Sequence, residues 1–364
     1  MRTWVLHLDL DEFLAAVEVL RRPELAGLPV VVGGRGDPSE RGVVATASYQ
    51  ARAFGVRSGM PLRTAARKLP EEAVFLPADH AAYEAASAEV METLRSWVDR
   101  DPGAGGARVT ALEVLGWDEA FLAAAATSPG PDDPEPLARA LQQAVLERTS
   151  LHCSVGIGDN KLQAKTATGF GKPRGTGRLE SDQWSAVMGQ RPVTALWGIG
   201  TKTARRLADL GISTVAELGA ADTAALAAQL GPTLGPWYRR LGRGVDSSPV
   251  DPTPWVPRAH GRETTFQRDL EDWAEVAQEV RRLAAQVAED IATEGRPAAR
   301  VGVKVRYVPF ETRQRSLTLP EPSGDAAVVG DAAVSLVDRF DHTRRVRLVG
   351  VRAEMTPPPS SRPS

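Results

Sequence analysis

The sequence predicts an α+β protein of two to three domains. The number of domains follows from the length, since 364 residues allow two to three at about 150 residues each. Two patterns near the C-terminal end indicate the class. Apolar residues at helical spacing run from Trp273 to Ile291, and apolar and basic residues then alternate with period two from Val301 to Tyr307. A hydrophobic fraction of 42% and a charged fraction of 25% are typical of globular chains.

The N-terminal half alternates short apolar strands with helices. An apolar run at residues 3–9 predicts a buried strand that delivers Asp9 at its end. A loop at 101–107 interrupts the series, and a helix begins near Asn160. The other predicted elements are a helix at 15–22, strands at 28–33 and 43–47, helices at 49–54, 61–69 and 81–98, a hairpin at 112–122, a helix at 134–151 and a strand at 152–157.

The C-terminal half changes composition twice. Residues 191–240 have a helical pattern, and residues 242–260 are rich in proline and glycine, as linkers are. A strand-helix-strand-strand-helix-strand pattern follows the linker. The last residues, 356–364, are rich in proline and serine, which predicts disorder.

Several function classes are excluded by composition. Cys153 is the single cysteine, so neither an intrachain disulfide nor a cysteine zinc cluster is possible. Asp9 comes too early for the core of a signal peptide, and no apolar run approaches the roughly 20 residues that span a bilayer. We therefore expect a cytoplasmic protein without membrane contact.

The formal net charge of −2 argues against a histone-like binder of nucleic acid. The distribution of charge points the other way. Residues 161–178 hold five basic residues and no acid, and residues 296–315 hold six basic residues against Glu311 alone. Such stripes suit a phosphate backbone. The alternative is that they are solvated faces.

Carboxylates gather at the ends of two apolar segments, as Asp9 with Asp11 and as Asp118 with Glu119. Carboxylates in such places need solvent, a partner or a metal. If the two sites meet, they suit hard divalent cations such as Mg²⁺, and a pair of ions could catalyse phosphoryl chemistry. The alternative is that these acids only cap turns or helices.

Two short segments are candidates for holding phosphate. Thr46, Tyr49 and Arg52 lie close in sequence, and the last two share a helix face. Lys161 and Lys165 lie four residues apart at a helix start, where backbone N–H groups also favour anions. The chain has no Gly-x-x-x-x-Gly-Lys-Ser/Thr segment, which excludes a P-loop NTPase.

The Gly198-Ile199-Gly200 turn precedes a helix that carries Lys202. Such a turn exposes backbone N–H groups to a phosphate. The alternative is an ordinary tight connection between two helices.

Taken together, these segments resemble the motifs of Y-family translesion DNA polymerases, and most of all the bacterial DNA polymerase IV group. They occur in the family's order, which is far more specific than one motif alone. The matching segments are 9–18, 42–52 with 55–61, 117–122, 155–165 with Lys172-Pro173, and Gly198-Ile199-Gly200.

The resemblance implies a right-hand polymerase fold with palm, fingers, helix-hairpin-helix thumb and a β-α-β-β-α-β little finger. By position, the palm would be 1–18 and 77–165, the fingers 19–76, the thumb 166–240 with its hairpin near 196–206, the linker 241–256, the little finger 257–354 and a disordered tail 355–364.

The resemblance also implies roles for residues in the low-fidelity transfer of a nucleotide from a dNTP to a primer 3′-OH. Asp9 and Asp118 would bridge two Mg²⁺ ions, which Mn²⁺ can replace. Glu119 would complete the catalytic metal site, the Leu10 carbonyl would bind the nucleotide metal, and Asp11 falls outside this set. Nucleotide contacts would come from Phe13, Leu14, Thr46, Tyr49, Arg52 and Lys161. DNA contacts would come from Gly198, Gly200, Lys202, Arg300, Lys304, Arg306, Arg345 and Arg347.

Three features depart from the family pattern. Leu14 stands where the family usually has a Phe or Tyr that excludes a ribose 2′-OH, so we expect weaker sugar discrimination and some use of rNTPs, unless leucine blocks the hydroxyl adequately. Gly116-Trp117 replaces the usual Ser-Leu-type lead into Asp118-Glu119, and the indole would pack beneath the metal site or fill the core. Residues 356–364 lack the Gln/Leu/Phe peptide that docks many relatives on the sliding clamp, which predicts weak tethering.

Primer–template DNA and a dNTP are the expected partners of a monomer. The leading alternative is a catalytically silent relative that binds DNA or recruits a polymerase. Such proteins lose the metal carboxylates, whereas Asp9, Asp118 and Glu119 are all present. A palm-domain nucleotide cyclase ranks last, because it needs neither the hairpin nor the basic C-terminal domain.

Overall fold

The computed structural model describes residues 2–100, 107–127 and 133–358. Most of the predicted loop at 101–107, and residues 359–364 of the predicted tail, lie outside these ranges. The chain forms two compact units. The first contains residues 1–32, 45–58 and 69–254, and the second contains 33–44, 59–68 and the chain from 255 onwards. The domain boundaries implied by the resemblance stay a prediction.

The described residues form twelve strands and thirteen α-helices. The strands are β1 (Thr3–Leu10), β2 (Val30–Val32), β3 (Thr46–Ala47), β4 (Val74–Leu76), β5 (Ala107–Val114), β6 (Glu119–Ala126), β7 (Cys153–Gly158), β8 (Thr176–Leu179), β9 (Ala259–Leu270), β10 (Ala298–Tyr307), β11 (Thr312–Ser323) and β12 (Val346–Met355). The helices are α1 (Phe13–Arg21), α2 (Tyr49–Ala53), α3 (Leu62–Ala66), α4 (His80–Arg95), α5 (Glu135–Thr149), α6 (Lys161–Gly171), α7 (Trp184–Met188), α8 (Thr201–Ala208), α9 (Val215–Ala220), α10 (Thr223–Leu230), α11 (Leu234–Gly242), α12 (Trp273–Thr293) and α13 (Ala326–Ser335). None of these helices is both long and apolar enough to cross a membrane.

The first unit is built on a five-stranded sheet in the order β5-β6-β1-β7-β8. The central strand β1 runs antiparallel to both neighbours, whereas β8 runs parallel to β7. Leu6, Leu8 and Leu10 alternate along β1 and enter a hydrophobic core that α4 and α5 share. Because side chains alternate along a strand, His7 and Asp9 face the opposite side of the sheet.

Helix α6 packs very closely on that opposite side. A Cβ atom on Gly156 would lie 2.0 Å from the Ala164 carbonyl oxygen and 2.3 Å from the Thr168 nitrogen. A Cβ atom on Gly158 would lie 2.6 Å from the Ala164 nitrogen. Glycine at both positions of β7 therefore allows the helix backbone to touch the strand.

A three-stranded sheet in the order β3-β2-β4 carries helix α2. Ser48 caps the helix, since its hydroxyl accepts the Ala51 N–H at 3.3 Å while also accepting the Val30 N–H at 2.9 Å. The strand predicted at 43–47 begins only at Thr46, because the N–H of Val44 bonds to the Met60 carbonyl instead.

The second unit contains a four-stranded antiparallel sheet in the order β11-β10-β12-β9. The predicted order of strands and helices is confirmed, with α12 after β9 and α13 after β11. Val301, Val303 and Val305 are at most 1% exposed and belong to the core that α12 and α13 share. The period-two pattern therefore does separate an apolar face from a basic face.

Candidate active site

Strands β1 and β6 bring the predicted metal ligands together. Asp9 and Glu119 are directly opposed in the antiparallel register, so both side chains lie on the same face of the sheet. Asp118 lies immediately before β6, and its carbonyl accepts the N–H of Leu10 at 2.8 Å. Asp9 and Leu10 thus meet Asp118 and Glu119 at one point in the sheet, although about 110 positions of sequence separate the two pairs.

The carboxylates influence one another electrostatically. Burial raises the pKa of Asp118, and the negative charges of Asp9 and Glu119 raise it further. Glu119 behaves in the opposite way. A hydrogen bond with His7, reinforced by Lys165, lowers the pKa of Glu119 to about 2. A group of like charges with one raised and one lowered pKa is typical of a cation or catalytic site.

Basic side chains from α6 and the turn after it reach these carboxylates. Lys165 forms an ion pair with Glu119, and Lys172 forms one with Asp9. The Nε2 atom of His7 lies 3.1 Å from the Glu119 carboxylate, and its Nδ1 lies 2.8 Å from the Thr168 hydroxyl. Burial lowers the pKa of His7, which favours the neutral ring.

The donors fit a hard divalent cation. One ligand atom each from His7, Asp9 and Glu119 lies within 4.8 Å of the others. Asp118 adds a third carboxylate, and the Leu10 carbonyl lies in the same strand end. Such oxygen-rich sets are the ones that Mg²⁺ and Mn²⁺ prefer.

Sequence reasoning missed His7 as a partner of Glu119, and it did not connect Lys165 or Lys172 with the carboxylates. The signal was available in part. His7 precedes Asp9 by two residues on a strand, so the two share a face. The contact of Lys165 depends on where α6 packs, which no local pattern shows.

The predicted phosphate residues are only partly assembled. Helix α2 carries Tyr49 and Arg52, and the Arg52 guanidinium lies 5.0 Å from the centre of the Tyr49 ring. Thr46 lies just before them in β3 and is half-buried. Lys161 is only 7% exposed and forms an ion pair with Glu113, so its ammonium group is already engaged.

The first two residues of α1 have different surroundings. Phe13 is 2% exposed, and its ring meets the ring of Tyr83 edge-on at 6.4 Å. Phe13 is therefore a core residue in this structure. Leu14 is half-buried and packs against the same core.

Of the two positions expected for Trp117 from the sequence, filling of the core is wrong. Its side chain is 36% exposed, and its ring meets the ring of His80 at 5.4 Å. The indole therefore lies at the surface beside α4, not in the core.

The predicted hairpin has the backbone that the sequence indicates. Gly198 adopts a φ of +86°, which favours glycine, and Gly200 lies directly before α8. Lys202 lies exposed in the first turn of that helix. No side-chain hydrogen bond caps the helix, so the N–H groups of its first turn have no capping partner.

The basic face of the second unit is less positive than its sequence suggests. Lys304 pairs with Glu263, and Arg300 lies 4.0 Å from Glu354 while bonding to the Ser316 hydroxyl at 2.7 Å.

Positive charge does accumulate farther along this unit. Burial lowers the pKa of Arg347, and the charges of Arg41 and Arg306 lower it further. Arg347 also lies 4.7 Å from the ring centre of Phe310, which is 67% exposed. Arg345 is exposed at the start of the same strand region.

Comparisons with known proteins agree with this architecture. The sequence model of the impB/mucB/samB family matches residues 8–169, and that of the family's C-terminal domain matches residues 257–362. A protein named DNA polymerase IV 2 from Mycobacterium tuberculosis is 49% identical, covering 97% of this chain and 98% of its own. DNA polymerase IV from Methanoculleus marisnigri is 38% identical, covering 96% of this chain and 94% of its own.

Solved structures agree as well. A Y-family DNA polymerase chimera, Dbh-Dpo4(243-245)-Dbh, is 26% identical, with a TM-score of 0.80 over 96% of this chain and 98% of that one. An insertion ternary complex of Dbh DNA polymerase has a TM-score of 0.62 at 26% identity, over 97% of this chain and 98% of that one. The chain therefore belongs to the impB/mucB/samB family, and it is a DNA-directed translesion polymerase of the Y family and of the DNA polymerase IV type.

Proposed function

We propose that the Asp9, Asp118 and Glu119 cluster catalyses attack of a primer 3′-oxygen on the α-phosphate of a templated nucleotide, with release of pyrophosphate. The observation that carries this proposal is the direct opposition of Asp9 and Glu119 across β1 and β6 with Asp118 alongside. Mutually close carboxylates on a rigid sheet are suited to holding cations at fixed positions.

Two Mg²⁺ ions, or Mn²⁺ in their place, would supply activation of the attacking oxygen and stabilisation of the leaving phosphate. Asp9 and Asp118 would hold both ions, Glu119 the one at the primer, and the Leu10 carbonyl the one at the nucleotide. His7 orients the Glu119 carboxylate through its Nε2 contact. Because His7 is itself held by Thr168, that orientation is set by the packing of α6.

The basic residues suit the anionic substrates. Tyr49 and Arg52 on α2, with Thr46, would hold the triphosphate, and Lys161 would join them by exchanging its Glu113 partner for a phosphate. The backbone at Gly198 and Gly200 with Lys202 would contact one DNA phosphate. On the second unit, Arg300, Lys304, Arg306, Arg345 and Arg347 would track further DNA phosphates.

We further propose that the polymerase discriminates weakly between deoxyribose and ribose. Leu14 occupies the position where the family usually has the aromatic residue that excludes a ribose 2′-OH. Its aliphatic side chain is half-buried against the core. A branched four-carbon side chain is shorter than a phenyl ring, so less of it can stand against a 2′-OH.

The test of the main proposal is primer extension on undamaged and lesion-containing templates with Mg²⁺ or Mn²⁺. The parent should extend both, and Asp118→Ala should lose activity by a factor of 10³ or more, on the order expected when a metal ligand is removed. Asp331→Ala is the matched control, because Asp331 is an exposed carboxylate on α13 of the other unit. A parent without metal-dependent synthesis would overturn the proposal.

A further inference from the structure

Glu113 on β5 is a carboxylate that the proposed chemistry does not use, although it holds a residue that the chemistry needs. Its Oε2 atom forms an ion pair with the ammonium group of Lys161, the first residue of α6. The side chain of Lys161 is 9% exposed and that of Glu113 is 20% exposed, so solvent screens the pair only partly. Lys161 is therefore already held by a negative charge of the chain itself.

The register of the sheet places this ion pair beside the metal carboxylates. Glu113 is opposite Phe121 on β6, and Phe121 is opposite His7 on β1, so the three side chains form a row on one face. The Lys161 ammonium group lies 5.5 Å from the centre of the Phe121 ring, within the range of a cation–π contact. Glu119 precedes Phe121 by two residues on β6, so it lies in the next row on the same face.

The predicted linker holds the Glu113 carboxylate independently of the lysine. The N–H of Asp251 donates to the same Oε2 atom at 2.7 Å. At the start of α6, the Asn160 side-chain amide donates to the Gly244 carbonyl at 2.9 Å. The linker therefore contacts the strand that carries the carboxylate and the start of the helix that carries the lysine. If Lys161 leaves, Glu113 keeps one hydrogen-bond donor, which makes an exchange of partners less unfavourable.

A triphosphate and Glu113 are competing acceptors for one ammonium group. Lys161 has three N–H donors but a single positive charge, and a triphosphate that approaches it also approaches the negative carboxylate. Nucleotide binding through Lys161 therefore requires that the ion pair with Glu113 be broken. The apparent Kd of a nucleotide then rises as the fraction of molecules with a free Lys161 falls.

We propose that Glu113 is an affinity-determining residue, which occupies Lys161 until a nucleotide binds and competes with the triphosphate for its ammonium group. This inference rests on the proposed function, which assigns Lys161 to the triphosphate, and adds a residue that weakens nucleotide binding. Glu113 touches neither substrate nor metal in this role and acts through Lys161. The ion pair also stabilises the folded protein, so one contact favours the fold and opposes the ligand.

The test measures the Kd of a dNTP on a primer that ends in a dideoxynucleotide, so that binding is read without turnover. Glu113→Gln keeps an oxygen that can accept the Asp251 N–H but removes the negative charge. It should tighten dNTP binding by about threefold to tenfold, the range expected of one partly buried ion pair. The same variant should melt about 2–4 °C below the parent, because Lys161 loses its counter-charge. On an extendable primer, KM should fall with Kd while kcat changes by less than about threefold.

The double variant Glu113→Gln/Lys161→Met separates competition from simple repulsion of the triphosphate. Lys161→Met alone should weaken dNTP binding, because it removes a phosphate contact. If Glu113 acts by occupying Lys161, adding Glu113→Gln to Lys161→Met should change the Kd by less than about twofold. A carboxylate that only repels the triphosphate would instead have the same effect with and without the lysine.

Glu18→Gln is the matched control. Glu18 is a carboxylate of the same unit that is 2% exposed and forms ion pairs with Arg21 and Arg22. Its replacement should lower the melting temperature and leave the Kd of the dNTP unchanged, which separates the effect of Glu113 from destabilisation in general. If Glu113→Gln does not fold, Glu113→Asp decides, because the shorter carboxylate reaches Lys161 less well and should also tighten binding.

Three outcomes would overturn the role of Glu113. Parent-like or weaker dNTP binding by Glu113→Gln would show that the carboxylate does not compete. Tightening that persists in the double variant would show that Glu113 only repels the triphosphate. Parent-like binding by Lys161→Met would show that the ammonium group makes no phosphate contact for which Glu113 could compete. A parent that extends no primer would instead refute the proposed function, so the two failures are distinguishable.

Discussion

Lys165, in the second turn of α6, forms an ion pair with Glu119, the first residue of β6. Its ammonium group also lies 3.2 Å from Nε2 of His7. A positive charge at this position offsets the repulsion among Asp9, Asp118 and Glu119. The Lys165–Glu119 ion pair therefore stabilises, in the metal-free protein, the same group of carboxylates that would bind the metal ions.

Lys165→Met should lower the melting temperature in EDTA by about 2–4 °C, the shift expected for ~1 kcal/mol in a unit of this size. Added Mg²⁺ should reduce the difference, because a bound cation replaces the lost positive charge. Differential scanning fluorimetry with and without Mg²⁺ measures both values. Lys68→Met is the control, since Lys68 is exposed and lies in the other unit. An equal deficit with and without Mg²⁺ would contradict this explanation.

Leu14→Phe should raise the preference for dNTPs over rNTPs by at least about tenfold in kcat/KM, because the ring adds volume where a 2′-OH would lie. Leu14→Met, which adds no ring, should keep the parent's preference. Single-nucleotide incorporation with matched dNTP and rNTP pairs gives the ratio. A parent that already prefers dNTPs as strongly as Leu14→Phe would rule out relaxed sugar selectivity.

Gly156→Ala should destabilise the protein by several kcal/mol, on the order of an overpacked core, because its Cβ would lie 2.0 Å from a carbonyl oxygen of α6. In helix α6 itself, a Cβ atom on Gly169 would meet nothing within 4 Å, so Gly169→Ala should stabilise the protein by up to about 1 kcal/mol through helix propensity. Urea denaturation of the two variants compares them directly. Equal stabilities would mean that α6 does not pack as closely as described.

Arg306→Ala and Arg347→Ala should each weaken DNA binding and reduce the slope of log affinity against log salt by about 1, as expected for loss of one phosphate contact. Arg281→Ala is the control, because Arg281 is on α12, which packs on the apolar side of the sheet, and pairs with Asp331 at 2.8 Å. Fluorescence anisotropy over a salt series measures the slopes. Unchanged slopes would exclude both arginines from the DNA contact.

Cys153 should not react with thiol reagents in the native protein at neutral pH. It is 3% exposed, and burial raises the pKa of its thiol to about 12, so the reactive thiolate is scarce. A colorimetric thiol assay should find no reactive group before denaturation and one after it. Rapid native labelling would show that the sheet opens between β1 and β7.

The sequence was sufficient for features that depend on periodicity and order. The alternation at Val301, Val303 and Val305 predicted a two-faced strand, and the burial of these residues confirms it. The element order of the C-terminal unit was predicted correctly for the same reason. Strand β8 was missed, because Thr176-Gly177-Arg178-Leu179 has no apolar alternation and pairs along only one edge with β7.

The part of the site that could be predicted from the sequence is the set of carboxylates at strand ends. Asp9 and Glu119 each mark such an end, so their meeting was foreseeable. The partners of Lys161 were not, because two lysines four residues apart look equivalent in sequence. Packing separates them, since Lys161 pairs with Glu113 and Lys165 with Glu119.

The close packing of α6 on β7 has a consequence for the length of the chain. Each residue of an α-helix turns the chain by about 100°. Inserting or deleting one residue between Gly158 and Lys165 would turn Lys165 away from Glu119 or push Ala164 and Thr168 off the two glycines that receive them. Substitutions can therefore accumulate in this segment far more readily than changes in its length.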